Sequence, residues 1–196
     1  VVPMGEYQRR IYDFIEKKYM DAMMGEGEPD LSSKFKAALA QARMIRLMQA
    51  ASDPAMLRTP LFEFMEDDEC PAEAYQAIDD ADVLKSIMEY EAIETPSKYL
   101  AVERLVNQIT KDGGKVVIWA TFIHTIHGIK EYLESKGIRC QELYGAIPVE
   151  KEGANDDSEE QILTREKIVR AFQSEDCPFK VIIANPFAVA ESISLH

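Results

Sequence analysis

Apolar residues near the N-terminus recur at the spacing of amphipathic helices. The segment "EYQRRIYDFIEKKYMDAMM" predicts a first helix, which the turn residues of "GEGEPD" end. A second helix is predicted from the capping candidates Ser32 and Ser33 to about Ala51, before "SDP". The positions predicted to face a core are Tyr7, Ile11, Phe14 and Ile15 in the first helix and Phe35, Leu39, Ala42, Ile45 and Met48 in the second.

From residue 95 onward, short apolar runs alternate with amphipathic segments. The predicted strands are "KVVIWA" at 115–120, "IRCQELYG" at 138–145 and "FKVIIA" at 179–184. The predicted helices begin at Thr95 and Pro96, at about residue 123 and at Thr164. Buried strands joined by helical crossovers specify an α/β fold with a parallel sheet and helices on its faces. Open sheets of this kind place their chemistry at the carboxyl ends of the strands.

The net charge of −13 comes from two acidic segments. Residues 63–94 hold twelve acidic residues and one lysine, and residues 150–160 hold six acidic residues and one lysine. The two segments together carry −16, so the rest of the chain carries about +3, which neither demands nor excludes a polyanionic partner. We interpret 54–94 as an acidic linker or insertion packed loosely on the surface, with one possible helix near 72–91. We expect both acidic segments to be mobile and away from the sheet edge.

Several classes of site and location are disfavoured by simple patterns. No stretch reaches the roughly 18 apolar residues of a membrane span, and "VVPMGEYQRR" has no leader pattern, so cytoplasmic localisation without a membrane partner is predicted. Neither GxxxxGK[ST] nor GxSxG occurs. His124 and His127 lie three residues apart on one helix, but no third ligand has matching spacing. We therefore interpret both as surface or rim histidines and predict no metal site.

The ordered segments together resemble the C-terminal half of a Swi/Snf-type helicase-like ATPase, a member of helicase superfamily two. This resemblance implies a helical segment at 1–53 that leads into a second RecA-like lobe at 95–196, with the acidic linker or insertion inferred from the charge pattern lying between them at 54–94. It covers nearly all of the chain except 55–95 and 149–163. The segments that carry it, in the family's order, are "VVPMGEYQRRIYDFI", "ARMIRLMQAASDPAML", "SKYLAVERLVNQI", "GGKVVIWATFIHTIHGIKEYLESKGI", "YGAI", "TREKIVRAFQ" and "VIIANPFAVAESISLH".

The resemblance also assigns roles to particular residues. Thr121, Phe122 and Gly145 fall at positions that approach the nucleic-acid backbone in the family, although Ala146 replaces a small polar residue there. Arg165 matches an arginine that opens a helix, and a structural role for it is as compatible with the sequence as a functional one. The last segment departs most from the family, and its candidates for the nucleotide cleft are Asn185, Glu191, Ser192 and Ser194.

The activity implied by the resemblance is ATP-driven translocation on double-stranded DNA, with ATP and magnesium as cofactors of the full-length protein. We expect this chain to be one lobe of a longer protein. Without the first lobe's phosphate loop and the family's arginine motif, it should be inactive as an ATPase, have no catalytic residue of its own and bind no cofactor alone. Two alternatives remain open. One is a catalytically inactive protein-interaction module whose acidic segment recruits a basic protein partner, and the other is a small ligand-binding α/β domain.

Overall fold

The computed structural model of this chain divides into two units, Val1–Leu100 and Ala101–His196. The residues it describes are 1–24, 44–58, 81–149 and 164–189. Outside these ranges lie predicted features at Ser32, Ser33, Phe35, Leu39, Ala42, 59–80, 150–160, Glu191, Ser192 and Ser194. Predictions for those positions therefore stay predictions.

The described residues of the first unit form helices. They are α1 (Glu6–Met24), α2 (44–52), a 3-10 helix (Pro54–Leu57), α3 (Ala81–Met88) and α4 (Tyr90–Ile93). Asp53 separates α2 from the 3-10 helix, because its backbone is extended and its carboxylate accepts a hydrogen bond from the Ala55 amide at 3.0 Å. Pro54, which has no amide hydrogen to lose, occupies the first position of that helix. The "SDP" stop that ends the predicted second helix is thus confirmed.

The core of the first unit confirms part of one predicted helical face and corrects another. Ile11 and Ile15 of α1 are buried as predicted and Phe14 is partly buried, but Tyr7 is 38% exposed, so its predicted burial is wrong. In α2, however, Ile45 and Met48 are 40% and 43% exposed, so their predicted burial is wrong. Leu47 and Ala50 pack against α1 in the core instead. Because α2 carries apolar residues on several sides, its periodicity alone does not select the face that is buried.

The end of the acidic segment is part of this core. Val83, Ile87 and Tyr90 are at most 2% exposed and belong to the same buried cluster as Ile11. Their spacing of four and three residues is that of one helical face. The buried 3-10 helix at 54–57, whose Leu57 joins the same cluster, is a second such part. The expectation of a loosely packed surface segment is therefore wrong for 54–57 and 81–94, whereas the domain boundaries drawn from the sequence stay a prediction.

Buried polar side chains connect segments of the first unit that are distant in sequence. The Gln8 side chain, which is 1% exposed, donates to the carbonyl oxygen of Ala50 at 3.0 Å and accepts from the Ser97 amide at 3.2 Å. The Tyr99 hydroxyl donates to the buried carboxylate of Asp53 at 3.0 Å. A buried polar group that lacks a partner costs free energy. These bonds therefore favour the observed packing of the three segments over arrangements that would leave the groups unpaired.

The carboxylate of Glu94, which is not part of α1, caps the N-terminus of that helix. It accepts hydrogen bonds from the amides of Tyr7 at 3.3 Å and Gln8 at 2.8 Å, both of which lie in the first helical turn and need a partner. The hydroxyl of Tyr90 donates to the same carboxylate at 3.1 Å. Burial, together with the negative charge of Glu94, raises the pKa of Tyr90. A side-chain methyl at Gly5 would collide with this carboxylate, so the position favours glycine.

The second unit contains a parallel sheet. Its described elements are most of α5 (Ser97–Lys111), then β1 (Val116–Trp119), α6 (Ile123–Ser135), β2 (Cys140–Leu143), α7 (Arg165–Gln173), β3 (Val181–Ala184) and α8 (Pro186–Val189). Within the described residues the sheet has three strands in the order β1-β3-β2, and both pairings are parallel. The predicted α/β class with a parallel sheet and flanking helices is confirmed.

Helices cover both faces of this sheet. Leu143 and Ile182 form a core cluster with Ile168 and Phe172 of α7. Alternate residues of β2 point to the opposite face, where the Cys140 thiol contacts the carbonyl oxygen of Lys130 in α6. Burial on this face raises the pKa of Cys140 to about 12. The predicted core residues of α6 and α7 are confirmed as buried: Ile126, Ile129, Leu133, Ile168, Val169 and Phe172.

Candidate functional site

The carboxyl ends of the three strands lie level with one another. Trp119 at the end of β1 pairs with Ala184 at the end of β3, and Ala184 also pairs with Leu143 at the end of β2. The segments that follow the strands, 120–122 and 144–148, therefore begin at the same edge, beside Asn185. The sheet thus brings to one edge the positions to which the family resemblance gives a nucleic-acid contact, and that role stays a prediction.

Asn185 joins the ends of all three strands. Its amide donates to the carbonyl oxygen of Leu143 at 2.9 Å, and its side-chain nitrogen donates to the carbonyl oxygen of Thr121 at 2.9 Å. Its side-chain oxygen accepts from the Phe187 amide at 2.9 Å. The side chain is buried, and these bonds engage both ends of its carboxamide. Asn185 therefore shapes the edge from within, and its predicted place in a nucleotide cleft stays a prediction.

Thr121 and Phe122 lie on the outside of this edge. The Thr121 side chain is exposed, while its backbone oxygen is held by Asn185. Phe122 is half-buried, has extended backbone, and occupies the N-cap position of α6 without a side-chain cap. Thr121 is consequently an exposed residue next to the N-terminus of α6, the positive end of the helix dipole.

Neither backbone conformation nor steric crowding by the described residues requires glycine at position 145. It is exposed, and a methyl group built on its α-carbon meets no atom within 4 Å. The described glycines with positive φ are Gly113 and Gly137, so the Gly145 backbone is open to other residues as well. The absence of a side chain at Gly145 leaves open space in which a binding partner could approach the protein backbone.

Arg165 holds the loop that contains Gly145. Its guanidinium donates to the carbonyl oxygens of Ile147 at 2.8 Å and Gly145 at 2.5 Å. Its amide donates to the carbonyl oxygen of Pro148 at 2.9 Å, directly after the N-cap residue Thr164. The structure thus gives Arg165 a structural role in shaping the loop, which the sequence left open.

The two histidines considered as metal ligands have different surroundings. His124 is exposed near the start of α6, whereas the Nδ1 of His127 lies 2.6 Å from a carboxylate oxygen of Glu142 on β2. In the parts of the chain that the structure describes, no three His, Cys, Asp or Glu side chains form a group that could hold a metal ion. None of the described helices is long and apolar enough to cross a membrane.

The contact between His127 and Glu142 is the feature of this edge that sequence reasoning missed. The two residues are fifteen positions apart and on different elements. Because side chains alternate along a strand, the sequence "CQEL" places Cys140 and Glu142 on the same face of β2. The alternation does not say which helix covers that face. The pairing therefore follows from tertiary packing alone.

Comparisons with known proteins bear on the fold. No protein-family profile matches this sequence, and no curated protein sequence matches it. Among solved structures it is similar to the C-terminal part of the Fun30 ATPase domain, with a TM-score of 0.58 and 18% identity. The match covers 99% of this chain and 69% of that chain. The chain thus has the α/β fold of a RecA-like ATPase C-terminal domain, while identity this low transfers no residue roles.

Proposed function

We propose that this chain is the second RecA-like lobe of a Swi/Snf-type, ATP-dependent DNA translocase and that its sheet edge holds the phosphate backbone of duplex DNA. The observation that carries the proposal is the convergence of Thr121, Phe122 and Gly145 at one edge, where Asn185 ties the strand ends together. The likeness to the C-terminal part of an ATPase domain supports it at the level of fold.

The chemistry of this edge suits a phosphate backbone. The exposed Thr121 hydroxyl can donate a hydrogen bond to a phosphate oxygen, and Gly145 leaves space for a sugar-phosphate chain to pass close to the protein backbone. Contacts of this kind position a protein on DNA without reading its bases. Binding is therefore expected to be independent of sequence, as a translocase requires.

Nucleotide hydrolysis is proposed to need more than these 196 residues. The sequence has no GxxxxGK[ST] loop to hold ATP phosphates, and RecA-like motors complete their nucleotide site with a second lobe. ATP and magnesium are therefore proposed as cofactors of the full-length protein, bound between this lobe and a first one. The isolated chain is expected to show no ATP turnover above buffer, and magnesium-dependent hydrolysis by the pure chain would contradict this.

Duplex binding by the 196-residue chain tests the proposal directly. Fluorescence anisotropy with a short labelled duplex is expected to show weak binding that falls steeply as salt rises. Thr121→Val keeps the size and branching of the side chain but removes its hydroxyl, so we expect roughly tenfold weaker binding because a charge-assisted hydrogen bond is lost.

The matched control is Thr110→Val. Thr110 lies near the end of α5, where its hydroxyl donates to the carbonyl oxygen of Val106 and its backbone oxygen accepts from Lys180, which precedes β3. The substitution there should leave DNA affinity unchanged. Equal losses in the two variants, or no loss at Thr121, would remove the sheet edge from the proposal. If the chain binds no duplex DNA under any condition, the protein-interaction module becomes the better assignment.

A further inference from the structure

A cluster of charged and aromatic side chains lies where α6 packs on β2. Besides the 2.6 Å contact between His127 and Glu142, the second carboxylate oxygen of Glu142 lies 3.5 Å from the Lys130 ammonium. The ring of His127 also meets the ring of Tyr144 edge-on, with 5.3 Å between ring centroids. The cluster thus combines two residues of the helix with two from the strand and its end.

The imidazole of His127 is held in a defined orientation. A carboxylate accepts hydrogen bonds, so Nδ1 of His127 carries the hydrogen and the other ring nitrogen, Nε2, is left for a further partner. Among the described residues no hydrogen bond to Nε2 occurs. The His127 side chain is 44% exposed and that of Glu142 is 13% exposed. A group that approaches from solvent therefore meets the imidazole before the carboxylate.

This cluster adjoins the proposed DNA-binding edge through covalent and hydrogen-bonded links. Tyr144, which contacts the His127 ring, directly precedes Gly145. Leu143, the residue before Tyr144, is bonded to Asn185, which also holds the backbone of Thr121. The helix that carries His127 begins directly after Phe122.

We infer that His127 is a further contact to the DNA backbone and that Glu142 is its positioning residue, an inference that rests on the proposed function. With Nδ1 held by Glu142, the imidazolium form of His127 can donate a hydrogen bond from Nε2 to a phosphate oxygen. Lys130 balances the same carboxylate, so imidazolium, ammonium and carboxylate together offer DNA one net positive charge.

His127→Ala and His124→Ala form a matched pair on one helix. In the intact 196-residue chain we expect His127→Ala to weaken duplex binding roughly tenfold and to lower the slope of log affinity against log salt by about one. His124→Ala should leave both quantities unchanged. Equal affinities and slopes in the two variants would overturn the inference.

Glu142→Gln separates positioning from simple charge. If Glu142 only repels DNA, this substitution should strengthen binding. If Glu142 orients His127, we expect Glu142→Gln to weaken binding severalfold in the otherwise unchanged chain and to cause no weakening once His127→Ala is present. Additive effects in this double-mutant cycle would contradict the positioning role.

Two further outcomes keep the inference distinct from the proposed function. If Thr121→Val weakens binding but His127→Ala does not, the inference alone fails, whereas absence of duplex binding by the unchanged chain removes both. Should His127→Ala lower the thermal midpoint of the chain, nuclear magnetic resonance of the imidazole nitrogens in the unchanged protein provides the test. We then expect the Nε2 signal of His127 to move on addition of duplex DNA, and an unmoved signal would overturn the inference.

Discussion

The two units of this chain bury polar side chains for different purposes. In the first unit, Gln8 bonds to residues more than forty positions away, at Ala50 and Ser97, so its bonds hold distant segments in one core. In the second unit, the buried Asn185 and the half-buried Arg165 also bond to backbone oxygens, but these belong to segments that follow the strands at the edge of the sheet. Polar side chains thus hold the core together in one unit and shape a surface in the other.

This difference predicts which substitutions should affect stability and which should affect binding. Polar groups inside the first unit have partners that become unsatisfied when the group is removed, and the cost appears as a lower free energy of unfolding. Removing an exposed group at the sheet edge costs little stability, because water can take over the hydrogen bonds that the group made. Substitutions of four kinds test this contrast, and they are ordered by the size of the expected effect on stability.

The largest loss of stability is expected from Gln8→Ala. The substitution leaves the Ala50 carbonyl and the Ser97 amide without their side-chain partner and opens a cavity at a site that is 1% exposed. We expect the free energy of unfolding to fall by about 3 kcal/mol, as measured by denaturant unfolding followed by circular dichroism. Gln108→Ala, on the exposed side of α5, is the control and should change it by less than about 0.5 kcal/mol. Similar losses in the two variants would show that Gln8 does not hold the unit together.

A smaller loss is expected from Gly5→Ala. The added methyl group would displace the Glu94 carboxylate, which accepts hydrogen bonds from the amides that begin α1. Loss of a helix cap typically costs about 1 kcal/mol, so we expect a fall of about 1 to 2 kcal/mol in the same unfolding experiment. Glu94→Gln keeps the shape but weakens the cap, and its effect should largely disappear when Gly5→Ala is already present. Independent effects would mean that the two positions are not linked through the carboxylate.

Alkaline pH should affect the second unit through Cys140. Because burial raises the pKa of this thiol from 9.0 to about 12, the folded state favours the neutral form. The resulting stability is complete below pH 9 and is lost progressively as pH rises from 9 to 12. Trp119, the single tryptophan, lies in the second unit and reports its unfolding by fluorescence. We expect Cys140→Ala to flatten the decline of stability above pH 9 relative to the control Cys177→Ala, and parallel declines would contradict this.

Much of the second unit could be predicted from sequence because its signals are local. The runs "VVIW" and "VIIA" are continuous and apolar, and Ile126, Ile129 and Leu133 follow one helical face, so strands, helix and fold class were predictable. The buried face of α2 could not be predicted in this way. Ile45 and Leu47 lie on different sides of that helix, and only packing against other helices decides which side is buried.

The same distinction applies to the charged residues and to the candidate site. The sequence indicated a possible helix near 72–91, but the density of acids in 63–94 favoured a surface position for it, although the spacing of Val83, Ile87 and Tyr90 already marked a face that could be buried. Thr121 and Gly145 could be placed at one edge because parallel strands end together. The bonds of Asn185 to two neighbouring strands, and the contact of His127 with Glu142, depend on register and packing and so could not be predicted.

The smallest effect on stability is expected from Gly145→Ala, which is directly comparable with Gly5→Ala. Gly145→Ala adds the same methyl group as Gly5→Ala, but here it points into open space on a backbone without positive φ. Replacing glycine by alanine at a compatible position restricts the unfolded chain, so stability should stay unchanged or rise by up to about 1 kcal/mol. Duplex binding should nevertheless weaken severalfold, because the methyl group occupies the space that we assign to the DNA backbone. A variant that is as stable as the unchanged chain and binds DNA equally well would show that the space beside Gly145 is not used. A destabilised variant would show that the loop held by Arg165 requires glycine for its own conformation, and the contrast between the two glycines would then be lost.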